Sequence, residues 1–184
     1  MSLVESIKIP LGTVMPVFNL KDPSDKTFDG ASLYGARGLL VVFTCNHCPY
    51  ANAVWPRLIR IARYAMDMHF GVVAINPNIH PKYPDDAPDK MINKVQELNI
   101  PFPYLVDAEQ SVARAFKAQC TPDVYLFDKD KRLVYHGRID DNWKDESAVR
   151  KEDLMMAIKD VVLGQPLDEK QFPSMGCSIK WREV

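Results

Sequence analysis

Gly38-Leu39-Leu40-Val41-Val42-Phe43-Thr44-Cys45-Asn46-His47-Cys48 is the stretch whose reading decides the fold. Its first six residues are short, apolar and β-branched, which reads as a fully buried strand. Downstream, Val54, Leu58, Ile61, Ala62 and Ala65 recur at helical spacing. The two cysteines therefore lie at a strand-to-helix junction, with Cys45 expected at or near the helix N-terminus. Unsatisfied backbone N–H groups and the helix dipole favour an anion there. Phe70-Gly71-Val72-Val73-Ala74-Ile75 is a second buried strand, so strand, helix and strand form a parallel crossover. A CxxC placed beside such a unit reads as a redox motif.

Working outward, Val14 to Leu20 and Thr27 to Phe28 predict two short strands around the turn Asp22-Pro23-Ser24-Asp25. A loop rich in Pro and Asn runs from Asn76 to Ala87. Pro88 suits the first turn of a helix whose apolar face is Met91, Ile92, Val95 and Leu98. Tyr104-Leu105-Val106 is a short strand, and Asp107 caps a helix carrying Val112, Ala113 and Phe116. Asp123 to Phe127 and Arg132 to His136 flank a polar turn and predict a hairpin. A last helix spans about Lys151 to Leu163, stopped by Gly164 and Pro166. Pro56 should kink the helix after the CxxC. The sum is an α/β chain with a mixed sheet and helices on both faces.

Composition narrows the function. The chain has 184 residues, fits one domain over 1–184, and carries a formal net charge of -1. That balance provides no electrostatic footprint for nucleic acid or an anionic membrane. The longest apolar run is about six residues, against roughly 20 needed to span a bilayer. Residues 1 to 20 lack a basic start followed by an apolar core, so the expected compartment is the cytoplasm. There a CxxC is more often catalytic or metal-binding than structural.

The candidate site is built on Cys45 and Cys48, a dithiol that cycles with a disulfide. Cys45 is expected to be the more exposed and more acidic thiol, hence the nucleophile, with Cys48 resolving. Helix-terminal placement lowers a thiol pKa into a range of roughly 3.5 to 7.5. The alternative is a zinc pair or two buried structural thiols, although no second CxxC or paired histidine motif accompanies it. His47 can stabilise the thiolate electrostatically and so favour the reduced form. His69, His80 and His136 stand singly and read as structural or surface residues. Thr121-Pro122 opens a strand about 75 residues after the CxxC. Cys120 precedes that pair, and Cys177 lies in Gly176-Cys177-Ser178-Ile179-Lys180-Trp181, which alternates like an edge strand. Both are candidate auxiliary thiols or small packed residues. The 45–48 bridge is expected to dominate on oxidation, with Cys120 and Cys177 largely reduced.

Several stretches in order carry a resemblance. They include Phe43-Thr44-Cys45-Asn46-His47-Cys48-Pro49-Tyr50, Tyr83-Pro84-Asp85-Asp86, Pro103-Tyr104-Leu105-Val106-Asp107 and Cys120-Thr121-Pro122-Asp123. Tyr135-His136-Gly137-Arg138-Ile139-Asp140-Asp141 and the closing Gly176 to Trp181 complete them. Nearly end to end, the chain resembles the redoxin (AhpC/TSA) branch of the thioredoxin superfamily, in the peroxiredoxin-like group that carries a CxxC. The resemblance implies a thioredoxin-like fold with an N-terminal β-hairpin extension and a cis bond before Pro122, against the active-site sulfurs. It implies thiol–disulfide oxidoreduction through Cys45 and Cys48, with no cofactor or metal. Thiol or disulfide partners follow, protein or small-molecule, with a thioredoxin-type reductant. The alternatives are an antioxidant thiol peroxidase and a redox-silent or zinc-binding module. Two departures bear on the choice. Counting back from Cys48, Cys45 and Val41 replace the threonine and proline of peroxiredoxins. Thr44 and Leu39 stand where thioredoxin has a tryptophan and a buried aspartate.

Overall fold

All six residues of Gly38–Phe43 (β4) are buried. Leu40 and Val42 join one apolar cluster while Leu39, Val41 and Phe43 join another. A strand covered on both faces has no solvent-facing positions to leave polar, hence its unbroken apolar run. The computed structural model describes residues 3–182, and β4 is an inner strand of a seven-stranded sheet.

Phe70–Asn76 (β5) pairs parallel with β4, and Asp123–Asp128 (β8) pairs antiparallel on its other side. Tyr104–Val106 (β6) continues the parallel set, followed by the antiparallel hairpin Asn19–Lys21 (β2) and Thr27–Asp29 (β3). Leu133–His136 (β9) forms the opposite edge. On one face Pro49–Asp67 (α1) buries Val54, Leu58, Ile61, Ala62 and Ala65, beside Leu154 and Ile158 of Asp153–Leu163 (α4). Each large aliphatic buried this way contributes roughly 1.5 to 3 kcal/mol. On the other face Ser111–Phe116 (α3) buries Val112, Ala113 and Phe116 against Met15 and Phe18. The mixed sheet with helices on both faces, and the N-terminal hairpin, are as the sequence predicts.

Details differ for physical reasons. The run from Val14 forms only an isolated bridge, Val14 to Arg132, and the strand begins at Asn19. Pro88–Leu98 (α2) buries Met91, but Ile92 of the expected apolar face is 37% exposed. Asp107 serves α3 as expected, accepting from the Val112 and Ala113 amides at 3.3 and 2.8 Å. The α1 helix runs through Pro56 without interruption.

The last strand is the main surprise. Met175–Ser178 (β10) is not an edge but the middle of a second sheet, between Leu3–Glu5 (β1) and Cys120–Thr121 (β7). The β1 strand has no counterpart in the sequence reading. The β10 strand brings Cys177 against the CxxC, and β1, from the opposite end of the chain, pairs with its outer edge.

Candidate active site

The β4 strand delivers the chain to Thr44, whose amide still bonds the Ile75 carbonyl at 2.9 Å. Beyond it, Cys45-Asn46-His47 forms a connection, and α1 begins only at Pro49 with Cys48 as its N-cap. The expectation that Cys45 occupies the helix terminus is therefore corrected. A proline at the first helical position fixes that start, since it needs no amide partner. The helix field acts on Cys48, three residues later than predicted.

Asn46 anchors the connection. Its amide donates to Asp86 Oδ1 at 2.6 Å and its side chain donates to the Asp85 carbonyl at 2.9 Å. Its Oδ1 accepts from the Tyr104 hydroxyl at 3.1 Å, and its carbonyl accepts from Asn52 Nδ2 at 2.7 Å. Asp86 is fully buried at the end of the short Pro84–Asp86 turn, and also accepts from Asn76 Nδ2 at 3.0 Å. It shares a hydrogen bond with His47 Nδ1, whose ring stacks on Tyr83 at 4.6 Å. The other ring nitrogen of His47 is buried without a hydrogen-bond partner.

The Thr121–Pro122 peptide is cis, as the resemblance implies. The Thr121 hydroxyl lies 3.2 Å from Cys45 Sγ, and the Thr121 carbonyl accepts from the Cys48 thiol at 3.1 Å. Cys45, Cys48, Ala51 and Cys177 make one buried apolar cluster. Neither CxxC sulfur faces solvent, so the expected exposure of Cys45 is also corrected.

The order of acidity is reversed as well. Burial drives the Cys45 thiol well above its ordinary value, reinforced by its donation to Cys48 and by the charge of Asp86. Cys48 is pushed down to about 5 by the Cys45 hydrogen bond, with further donors in the Ala51 amide and the side chain and amide of Cys177. Burial opposes this, but the donors outweigh it.

Cys120 and Cys177 divide. Directly opposed residues of an antiparallel pair share a face, and Cys177 opposes Thr121. Cys177 therefore faces the CxxC, while Cys120 opposes Ser178 on the other side and donates to the Pro122 carbonyl at 3.5 Å. His136 is a buried structural residue, 2.9 Å from Asp123 and stacked on Tyr125. Cys45, His47 and Asp86 each bring one potential metal-ligand atom within 4.8 Å of the other two, the one such group among the described residues. In this arrangement the His47 and Asp86 atoms bond to each other, so a cation would have to displace that bond. Sequence reasoning missed Asp86 and Asn46 as site residues. Asp86 lies 40 positions from Asn46, and its only sequence signal was the Tyr83-Pro84-Asp85-Asp86 run.

A strand-to-α1 dithiol facing a cis proline defines a thioredoxin-fold redox protein. The redoxin family model matches residues 10–152, and the chain belongs to the redoxin family. No functionally curated protein matches the chain significantly. An uncharacterized conserved protein from Geobacillus kaustophilus is 38% identical over 100% of this chain and 98% of its own, with a TM-score of 0.94. A hypothetical protein from Sinorhizobium meliloti 1021 is 37% identical over 98% and 99%, with a TM-score of 0.92. The thioredoxin domain of a thiol-disulfide oxidoreductase from Bacteroides vulgatus shares the fold at 14% identity, covering 84% and 99%, with a TM-score of 0.64.

Proposed function

We propose that this redoxin-family protein, one domain over 1–184, is a cytoplasmic thiol–disulfide oxidoreductase in which Cys48 attacks and Cys45 resolves. The observation that carries the reading is the place of Cys48 as the α1 N-cap, where the helix N-terminus and the neighbouring Cys45 thiol favour its thiolate. Thiolate attack on a substrate disulfide forms a mixed disulfide on Cys48 and releases one substrate thiolate. Cys45 then loses its proton and attacks Cys48 Sγ. The bond from Cys48 to substrate breaks, the second substrate thiol leaves, and the 45–48 bridge remains. The substrate gains two electrons and the dithiol loses them. Disulfide-bearing small molecules or proteins are the substrates, and a thioredoxin-type dithiol restores the reduced form.

The His47–Asp86 dyad supports the resolving step. Cys45 holds its proton tightly, and a His47 ring nitrogen and an Asp86 oxygen lie within 4.8 Å of its sulfur. This is the role of a general base. The roles are tested by trapping. Cys45→Ser should form a mixed disulfide on Cys48, whereas Cys48→Ser should form none. An adduct in Cys48→Ser alone would reverse the assignment.

The Cys48 thiolate also favours a second reading, thiol peroxidase, since Cys48 occupies the position of the peroxidatic cysteine in the redoxin resemblance. Hydrogen peroxide and a small disulfide, offered separately to the reduced protein, decide between them. Peroxide turnover well above that of a free thiol, with negligible disulfide exchange, would replace the first reading. One equivalent of zinc retained on purification would replace both with a metal-holding module.

A further inference from the structure

We propose that Cys177 is a third redox thiol, held against Cys48 by the C-terminal strand, and that a Cys48–Cys177 disulfide forms within the chain. This inference rests on the reading of Cys45 and Cys48 as a redox pair and adds a second acceptor for the same disulfide.

Placement carries it. Cys177 sits opposite Thr121, the residue before the cis bond and the one that touches both CxxC sulfurs. An extended segment paired there lays its side chain directly on the dithiol, as a docked strand of substrate would. Here β10 takes that position itself. Cys177 packs with Cys45, Cys48 and Ala51, is 1% exposed, and brings both its amide and its thiol within hydrogen-bonding reach of Cys48.

The strand is held on both sides. Its outer edge pairs with β1, and the Ser6 amide bonds the Ser174 carbonyl at 2.9 Å. Further on, the Ile179 amide bonds the Gln119 carbonyl at 3.0 Å and the Lys180 amide bonds Asn78 Oδ1 at 2.8 Å. Gly176 is required for the approach, because a Cβ there would stand 2.0 Å from the Thr121 carbonyl oxygen. A sulfur positioned by two strands on a reactive thiolate is a prearranged reaction partner.

The step moves a bridge without net oxidation. In the oxidised protein Cys177, as thiolate, attacks Cys48 Sγ of the 45–48 disulfide. The Cys45–Cys48 bond breaks, a Cys48–Cys177 bond forms, and Cys45 leaves with the electron pair and takes up the proton that Cys177 lost. The two outer thiols resemble each other electrically. Burial pushes both up, Cys177 to about 12, while Cys48 between them is pushed down. The β10 strand is thereby locked over the site when Cys48 is bridged to it, and Cys45 is set free.

Oxidised glutathione is the probe, applied to full-length Cys45→Ser, Cys45→Ser/Cys177→Ser and Cys45→Ser/Cys120→Ser, with disulfides mapped by mass spectrometry. Cys45→Ser should pass through a Cys48–glutathione adduct and end as a Cys48–Cys177 bridge. That adduct should decay roughly tenfold or more faster than in Cys45→Ser/Cys177→Ser, since its resolution is intramolecular. Loss of Cys120 should change nothing. Cys177→Ala in place of serine, and melting curves for every variant, separate chemistry from misfolding. An adduct equally persistent with and without Cys177, or a bridge to Cys120, would overturn the inference alone. No adduct on Cys48 in any variant, together with no 45–48 bridge in the parent protein, would overturn the redox-pair reading and this inference with it.

Discussion

Replacing Cys45 with alanine should raise the titration midpoint of Cys48. The largest influence holding Cys48 down is the thiol hydrogen bond from Cys45, and alanine removes that donor while leaving the Ala51 and Cys177 donors in place. A hydrogen bond to a charged group contributes about 1.5 to 3 kcal/mol. At 1.36 kcal/mol per pH unit, that moves the midpoint by roughly 1 to 2 pH units. Starting from about 5, the variant should titrate near roughly 6 to 7. The sign follows from which form the donor favours. In the parent protein the thiolate is fully formed above the lowered midpoint, so exchange rates are flat toward neutral pH and fall only as pH drops through about 5. In Cys45→Ala the fall begins at higher pH. Thiolate absorbance at 240 nm reports the midpoint, with Cys48→Ser as the blank; Cys45, Cys120 and Cys177 are pushed upward and stay silent there. Cys45→Ser keeps a donor and should move the midpoint by less than half as much. An unmoved midpoint in Cys45→Ala would refute the shared-proton argument. Equal shifts in the two variants would refute the hydrogen bond as its cause.

Other outcomes follow from the same contacts. Asp86→Ala strips partners from the Asn46 amide, the Asn76 side chain and His47, and should cost roughly 3 to 5 kcal/mol in chemical denaturation. A loss under about 1 kcal/mol would show that water replaces the carboxylate. Gly176→Ala places its Cβ on the Thr121 carbonyl and should force β10 from β7. Losing one or two backbone hydrogen bonds then speeds alkylation of Cys48 by iodoacetamide about tenfold, and an unchanged rate would mean that the site is reached another way. Leu58→Ala, at 1% exposure between α1 and the sheet, should lower stability by about 2 to 5 kcal/mol without moving the Cys48 midpoint.

The sequence by itself determined the elements whose stability is local or whose pattern is periodic. The buried runs of β4 and β5, the apolar spacing in α1, the turns around Pro23 and Lys129 and the stop at Gly164 each announce themselves within a few residues. The same reading placed the CxxC between a strand and a helix, while the family resemblance put Thr121-Pro122 beside it. Which cysteine sits at the helix terminus depended on where α1 starts, a matter of three residues that hydrophobic periodicity does not resolve and Pro49 decides. The rest was decided by contacts between distant segments. Asp86 reaches the CxxC loop from 40 positions away as a single buried carboxylate, with no periodic pattern around it. Leu3–Glu5 and Met175–Ser178 are strands of three and four residues, too short for a pattern of their own. They hold because each supplies backbone partners to the other across nearly the whole chain, and a pairing between such distant segments leaves no local signal.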